Sequence, residues 1–206
     1  MYTLLKPLLV REELRKKNIY AFSPWEFERL FGLSKDRAKY FLEEESKRGL
    51  FLRLKKGLYT LQTDMPGEQE IANKLYQPSY LSFEYALTYY GIMPEMVYSI
   101  TSATTKPTRE FDVQGRAFSY SAIKRHAFTG YQLLTKGGRN FFIAEPEKAL
   151  VDYLYFVSLG KRGKNDRLSV HSLEKQKALF YATLFERKRL SHLVEDVFRR
   201  DYRGSV

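Results

Sequence analysis

Apolar residues recur with a helical period through the first fifty positions and with an alternating period directly after them. Over residues 2–17, Leu5, Leu8, Leu9 and Leu14 can face inward from one helix, with Arg11, Arg15, Lys16 and Lys17 facing out. Pro7 delays the start of that helix, and its alternative use is dimerisation. Ser23 suits an N-cap and Pro24 a first helical position, and Phe27, Leu30 and Phe31 at i, i+3, i+4 give the next helix its apolar face. Gly32 ends that helix and Ser34 caps another, predicted over residues 35–48 with Ala38, Phe41 and Leu42 inward and Gly49 as its stop. Phe51-Leu52-Arg53-Leu54 then alternates, Lys55-Lys56-Gly57 turns, and Leu58-Tyr59-Thr60-Leu61 returns, which predicts a hairpin with a basic tip. Two helices joined by a short Gly-containing turn and closed by a hairpin predict a winged helix-turn-helix.

Residues 63–67, Thr-Asp-Met-Pro-Gly, are the expected boundary between a domain over 1–64 and one over 65–206. A helix is predicted over 68–75, interrupted by Pro78; Ser82 caps another over 83–90, which Gly91 closes. Strands are predicted over 97–105, 109–113, 117–120, 131–135 and 140–143, with Gln114-Gly115 and Lys136-Gly137-Gly138-Arg139 as turns. Glu145-Pro146-Glu147-Lys148 opens a helix to about residue 156. Its stripe is Ala149, Leu150, Tyr153, Leu154 and Val157, and its polar side Glu147, Lys148 and Asp152. A charged loop over 161–167 and helices over 172–185 and 190–200 complete an α+β chain: a winged helix-turn-helix, then a mixed α/β domain with a small sheet.

Composition adds an anionic partner. The formal charge is +11. Residues 1–64 hold 14 Lys/Arg against 9 Asp/Glu and residues 65–206 hold 21 against 15, so both domains contribute to the excess. The absence of cysteine removes disulfides and Cys-ligated zinc and fits a reducing cytoplasm, the expected location. The apolar N-terminal run is too short to span a membrane and lacks a small-residue cleavage site, so no membrane association is expected.

Double-stranded DNA fits this charge and fold. The outward face of the helix over 35–48 carries Lys35, Arg37, Lys39, Tyr40 and Lys47, and the hairpin adds Arg53, Lys55 and Lys56 as phosphate contacts. Glu43-Glu44-Glu45 repels phosphate but lies in the second half of the helix; the competing use of such a domain is protein contact. Catalytic chemistry finds little support. His126, His171 and His192 lie far apart and have no i, i+4 partner, unlike a zinc site. Asp112, Glu145, Glu147 and Lys148 invite a nuclease reading, but consecutive Glu147 and Lys148 suit a helix start better. Lys136-Gly137-Gly138-Arg139 lacks the phosphate-loop pattern, and no Gly-x-Ser-x-Gly elbow occurs. The aromatics Tyr76, Tyr80, Phe83, Tyr85, Tyr89 and Tyr90 read as core, some hydroxyls reaching solvent. No catalytic residue, metal ligand or cofactor is expected, and the chain is not expected to be an enzyme. The alternatives are a metal-dependent nuclease targeted by the winged helix, and a protein-interaction adaptor.

Four stretches resemble the AbiEi family of type IV antitoxins. The first is Arg48-Gly49-Leu50 with Lys56-Gly57-Leu58-Tyr59. The second runs from Tyr80-Leu81-Ser82-Phe83-Glu84-Tyr85-Ala86-Leu87 through Tyr90-Gly91-Ile92 to Pro94-Glu95. The third is Ile100-Thr101-Ser102-Ala103-Thr104-Thr105-Lys106 with Phe118-Ser119-Tyr120. The fourth is Ile143-Ala144-Glu145-Pro146-Glu147-Lys148-Ala149-Leu150-Val151-Asp152-Tyr153-Leu154. The resemblance covers about half the chain, roughly residues 48–154. It implies an N-terminal domain that binds operator DNA and represses its own operon. It also implies a C-terminal domain that counters a nucleotidyltransferase toxin without forming a stable complex with it.

Overall fold

The computed structural model describes the backbone of residues 5–204 and the side chains of residues 5–200, so residues 2–4 of the first predicted helix lie outside the described residues. Among the described residues the chain is α+β, with eight α-helices and nine strands in two sheets. It divides into two compact units, Met1–Leu75 and Tyr76–Val206.

The first unit begins with α1, Pro7–Lys16, with proline at its first position. Its buried residues are Val10 and Leu14, while Leu8 and Leu9, expected inward, are exposed. At about 100° per residue Leu8 and Leu9 fall on the side away from Leu14, whereas Val10, one turn before Leu14, shares its inner face. β1, Ala21–Phe22, leads into α2, Pro24–Phe31, where Ser23 and Glu26 form a reciprocal capping box and Gly32 ends the helix in the left-handed region. α3 follows at Lys35–Lys47, and the hairpin consists of β2, Phe51–Lys55, and β3, Leu58–Leu61. The sheet order is β1-β3-β2, so the two-residue strand, not foreseen in the sequence, completes an antiparallel sheet. Val10, Leu14, Phe22, Phe27, Ala38, Leu42, Phe51, Tyr59 and Leu61 form one core. Phe22, Phe27, Phe41 and Phe51 meet there ring to ring at 5.5–6.3 Å, each such pair adding about 0.5–1.5 kcal/mol beyond its buried area. Asp64 accepts from Arg11 and pairs with Arg15, both at 3.3 Å, tying α1 to the chain beyond β3. α4, Glu68–Leu75, belongs to this unit.

In the second unit a six-stranded sheet has the order β6-β7-β5-β4-β9-β8. Its strands are β4 Ser79–Leu81, β5 Ile100–Thr104, β6 Arg109–Val113, β7 Arg116–Ala122, β8 Tyr131–Lys136 and β9 Arg139–Ala144. The small sheet expected over 97–143 therefore starts at Ile100 and recruits β4, a buried strand hidden in the sequence behind Pro78. α5, Phe83–Tyr89, and α6, Pro146–Ser158, pack on each other, and α7, Lys175–Thr183, and α8, Lys188–Gly204, close around α6. α6 is buried along almost its whole length, so Glu147, Lys148 and Asp152 do not form a solvated side as expected. Apolar residues cover too much of its circumference to leave a polar face.

Candidate nucleic-acid interface and a buried charge network

At about 100° per residue, Ala38, Phe41, Leu42 and Glu45 fall on the inner side of α3. Asp36 and Tyr40 then take the centre of the outer side, with Lys39 and Arg37 flanking it and Lys35 at the first turn. Lys35, Arg37, Lys39 and Tyr40 are all exposed, Tyr40 at 69%. Ser34 occupies the N-cap position without a side-chain cap bond, unlike Ser23 on α2.

The acidic triplet behind them is largely neutralised within the helix. Lys47 donates to Glu44 at 2.7 Å and Arg48 to buried Glu45 at 2.8 Å. The Lys47 bond holds the Glu44 carboxyl below its ordinary range and raises the Lys47 ammonium. Glu43 is exposed.

On the hairpin, Arg53 and Lys56 are exposed. Lys55 ends β2 instead of joining the turn, and its half-buried ammonium donates to the Leu75 carbonyl that closes α4. Trp25, to which no sequence pattern assigns a role, stands exposed on α2 with the Arg29 guanidinium 4.7 Å from its ring centroid.

The second unit brings together residues from separate stretches of the chain. Lys148 and Asp152, one turn apart on α6 and both fully buried, form a direct ion pair. The Tyr80 hydroxyl on β4 donates to Asp152 Oδ2 at 2.9 Å and accepts from Lys148 Nζ at 2.9 Å. Ser82 Oγ donates to the same carboxylate oxygen at 2.8 Å. Lys148 also lies 5.1 Å from the Phe185 ring centroid. Burial lowers the Lys148 ammonium, opposed by Asp152, and burial followed by Asp152 pushes the Tyr80 phenol well above its usual range. Ser82 holds the expected N-cap position of α5 but makes no side-chain cap bond, because its hydroxyl is spent on Asp152. Thr101 on β5 takes over, its Oγ accepting from the Tyr85 N–H at 3.1 Å and donating to the Ser82 carbonyl at 2.6 Å. The one signal of this network in the sequence is the i, i+4 spacing of Lys148 and Asp152. Tyr80 and Ser82 come from the second stretch of the resemblance, Thr101 from the third, and Lys148 and Asp152 from the fourth.

Lys177 on α7 bridges Glu145 at 3.0 Å and Glu147 at 3.1 Å. Burial alone would lower this ammonium, but the bonds from both carboxylates raise it. Asp112 is far from these acids: its side chain accepts from Gly115 N–H in the β6–β7 turn, and β6 lies four strand positions from β9, about 19 Å. His126 lies 3.7 Å from Glu186, and His171 shares a 2.7 Å hydrogen bond with Ser169. No group of three His, Asp or Glu residues is placed to hold a metal ion among the described residues. In the charged loop Arg162 turns inward to Glu84 and lies 4.2 Å from the Phe83 ring centroid, while Arg167 pairs with Glu95.

No helix among the described residues is long and apolar enough to cross a membrane. Compared with protein-family models and with curated proteins, the chain gives no match.

Proposed function

We propose that the first unit is a winged helix-turn-helix that binds double-stranded DNA, and that the chain is a transcriptional regulator of the type IV antitoxin class, repressing its own operon. The observation that carries this reading is the front of α3: Lys35, Arg37, Lys39 and Tyr40 are all exposed, while Glu44 and Glu45 behind them are already bonded to Lys47 and Arg48. A helix presented in this way suits the major groove, its first residues meeting base edges and phosphates. Arg53 and Lys56 on the hairpin supply backbone contacts. Lys55 contributes less than its position in the sequence promises, because its ammonium is committed to the Leu75 carbonyl.

In this reading the second unit counters a nucleotidyltransferase toxin, catalyses no reaction itself, and acts in the cytoplasm. The test is the purified chain with duplex DNA from upstream of its own gene, with and without magnesium. Retarded, intact DNA is expected. Cleavage in magnesium would favour the nuclease alternative, and free DNA at all protein concentrations would remove the DNA reading. The antitoxin role is tested separately, by co-expression with a nucleotidyltransferase encoded beside the gene; growth is expected to be restored.

A further inference from the structure

We propose that the outer edge of β8 is a self-pairing surface, on which a second copy of the chain lays its own β8 antiparallel across a two-fold axis. This proposal is independent of the DNA reading.

The two ends of the six-stranded sheet are built differently. β6, at one end, carries Arg109, Glu110 and Asp112, three charges in five residues. Charges of this kind discourage edge-to-edge pairing. β8, at the other end, reads Tyr-Gln-Leu-Leu-Thr-Lys and has a single charge, at its last residue. Five of its six residues are exposed, Leu133 at 54%.

The hydrogen-bond phase adds a second argument. The Glu145 N–H donates to the Gly130 carbonyl at 2.9 Å, and Lys136 pairs with Arg139 across the two-residue turn Gly137-Gly138, both glycines having positive φ. Ladder bonds in an antiparallel pair fall on alternate residues, so Gln132, Leu134 and Lys136 turn their backbone groups toward β9. Tyr131, Leu133 and Thr135 therefore turn theirs outward. The side chains of Tyr131 and Leu133 are also the exposed apolar ones, and Phe142, the β9 partner of Leu133, is exposed beside them.

This edge is complementary to itself. A two-fold axis through Leu133 sets Leu133 against its counterpart and Tyr131 against Thr135 of the second copy. Every residue so paired has outward backbone groups in both copies. Leu133 and Phe142 of each copy then join into one apolar surface. The same operation carries the basic end, Lys136 and Arg139, to the opposite end of the other strand, where Gly130 adjoins Glu145. The one charge of each strand, Lys136, thus lies away from that of the other copy, and no like charges face each other along the strand.

Sedimentation of the full chain from about 1 μM to about 1 mM, the range of weak association, tests the proposal. A mass rising from one copy to two is expected. Leu133→Pro removes an outward N–H without touching the β8–β9 ladder, and Leu133→Lys sets like charges on the axis. Each is expected to weaken association at least about tenfold, while Leu133→Ile retains it. Amide exchange at high concentration should protect Tyr131, Leu133 and Thr135 selectively, and this readout stands even if a variant folds poorly. A single-copy mass throughout, dimers insensitive to both substitutions, or protection confined to other segments would each overturn the proposal.

Discussion

Helices α3 and α6 have thirteen residues each and both carry lysine and acid, yet their lysines meet opposite fates. On α3 the inward stripe is narrow, so Lys35, Arg37 and Lys39 stay in water. On α6 the apolar residues Ala149-Leu150-Val151 and Tyr153-Leu154 bury almost the whole circumference of the helix, and Lys148 and Asp152 go into the core with them. An exposed lysine costs little to carry and is available to a partner. A buried one is tolerable only when another charge and further hydrogen bonds satisfy it, as Asp152 and Tyr80 do here, with Ser82 in turn donating to Asp152. The same residue type therefore signals a binding surface in one unit and a specified core in the other, and only the neighbouring residues distinguish the two.

Substitutions can break this contrast from either side. The largest effect is expected from Lys148→Met, which leaves Asp152 buried without its counter-charge. Urea unfolding of the full chain should show a loss of about 3–5 kcal/mol, whereas the double change Lys148→Met with Asp152→Leu should recover most of it. Leu150→Ala, at a fully buried site on the same helix, should cost about 2–5 kcal/mol in the same measurement. The exposed side should behave in reverse. Alanine at Lys35, Arg37 and Lys39 together should change stability by no more than about 0.5 kcal/mol. In salt titrations of operator binding, the slope should fall by about 0.9 for every phosphate no longer neutralised, and Lys56→Ala should remove about one such unit.

The smallest effect expected is one of pH. The Tyr181 hydroxyl, partly offset by burial and joined by Lys177, holds the Glu145 carboxyl below its ordinary 4.5. The folded chain thus binds this proton less readily than the unfolded one. The stabilisation is present above about pH 4.5 and fades as pH falls through the lower folded value. Tyr181→Phe should flatten that acid limb slightly in thermal melts taken from neutral pH down into this acid range.

Local signals make much of this legible in the sequence. Ser23-Pro24 and Gly32 bracket α2 at its observed ends, and α4 and β6 fall on the residues predicted for them. What escaped depends on distant partners. β4 reads as an interruption because its three residues form a strand only between β5 and β9. Leu8 and Leu9 look inward-facing as leucines, but the helix packs on the side that Val10 and Leu14 share, about 120–140° away from them at 100° per residue. Of the candidate DNA contacts Lys35, Arg37, Lys39, Tyr40, Arg53, Lys55 and Lys56, the structure leaves all exposed but Lys55, which it withdraws toward α4 through a bond twenty residues away that no local pattern announces. The inward turn of Arg162 likewise means that reversing charge throughout the 161–167 loop would disturb packing against Phe83 and not merely the surface.

The exchange of hydroxyls between Ser82 and Thr101 has a consequence for the order of folding. α5 has only seven residues, too few to persist alone, because helix nucleation is costly. Its N-terminal hydrogen bond comes from Thr101, 16 residues beyond the amide it accepts from. The helix therefore cannot be capped locally: it gains this bond only when β5 docks beside β4, which closes the chain between residues 82 and 101.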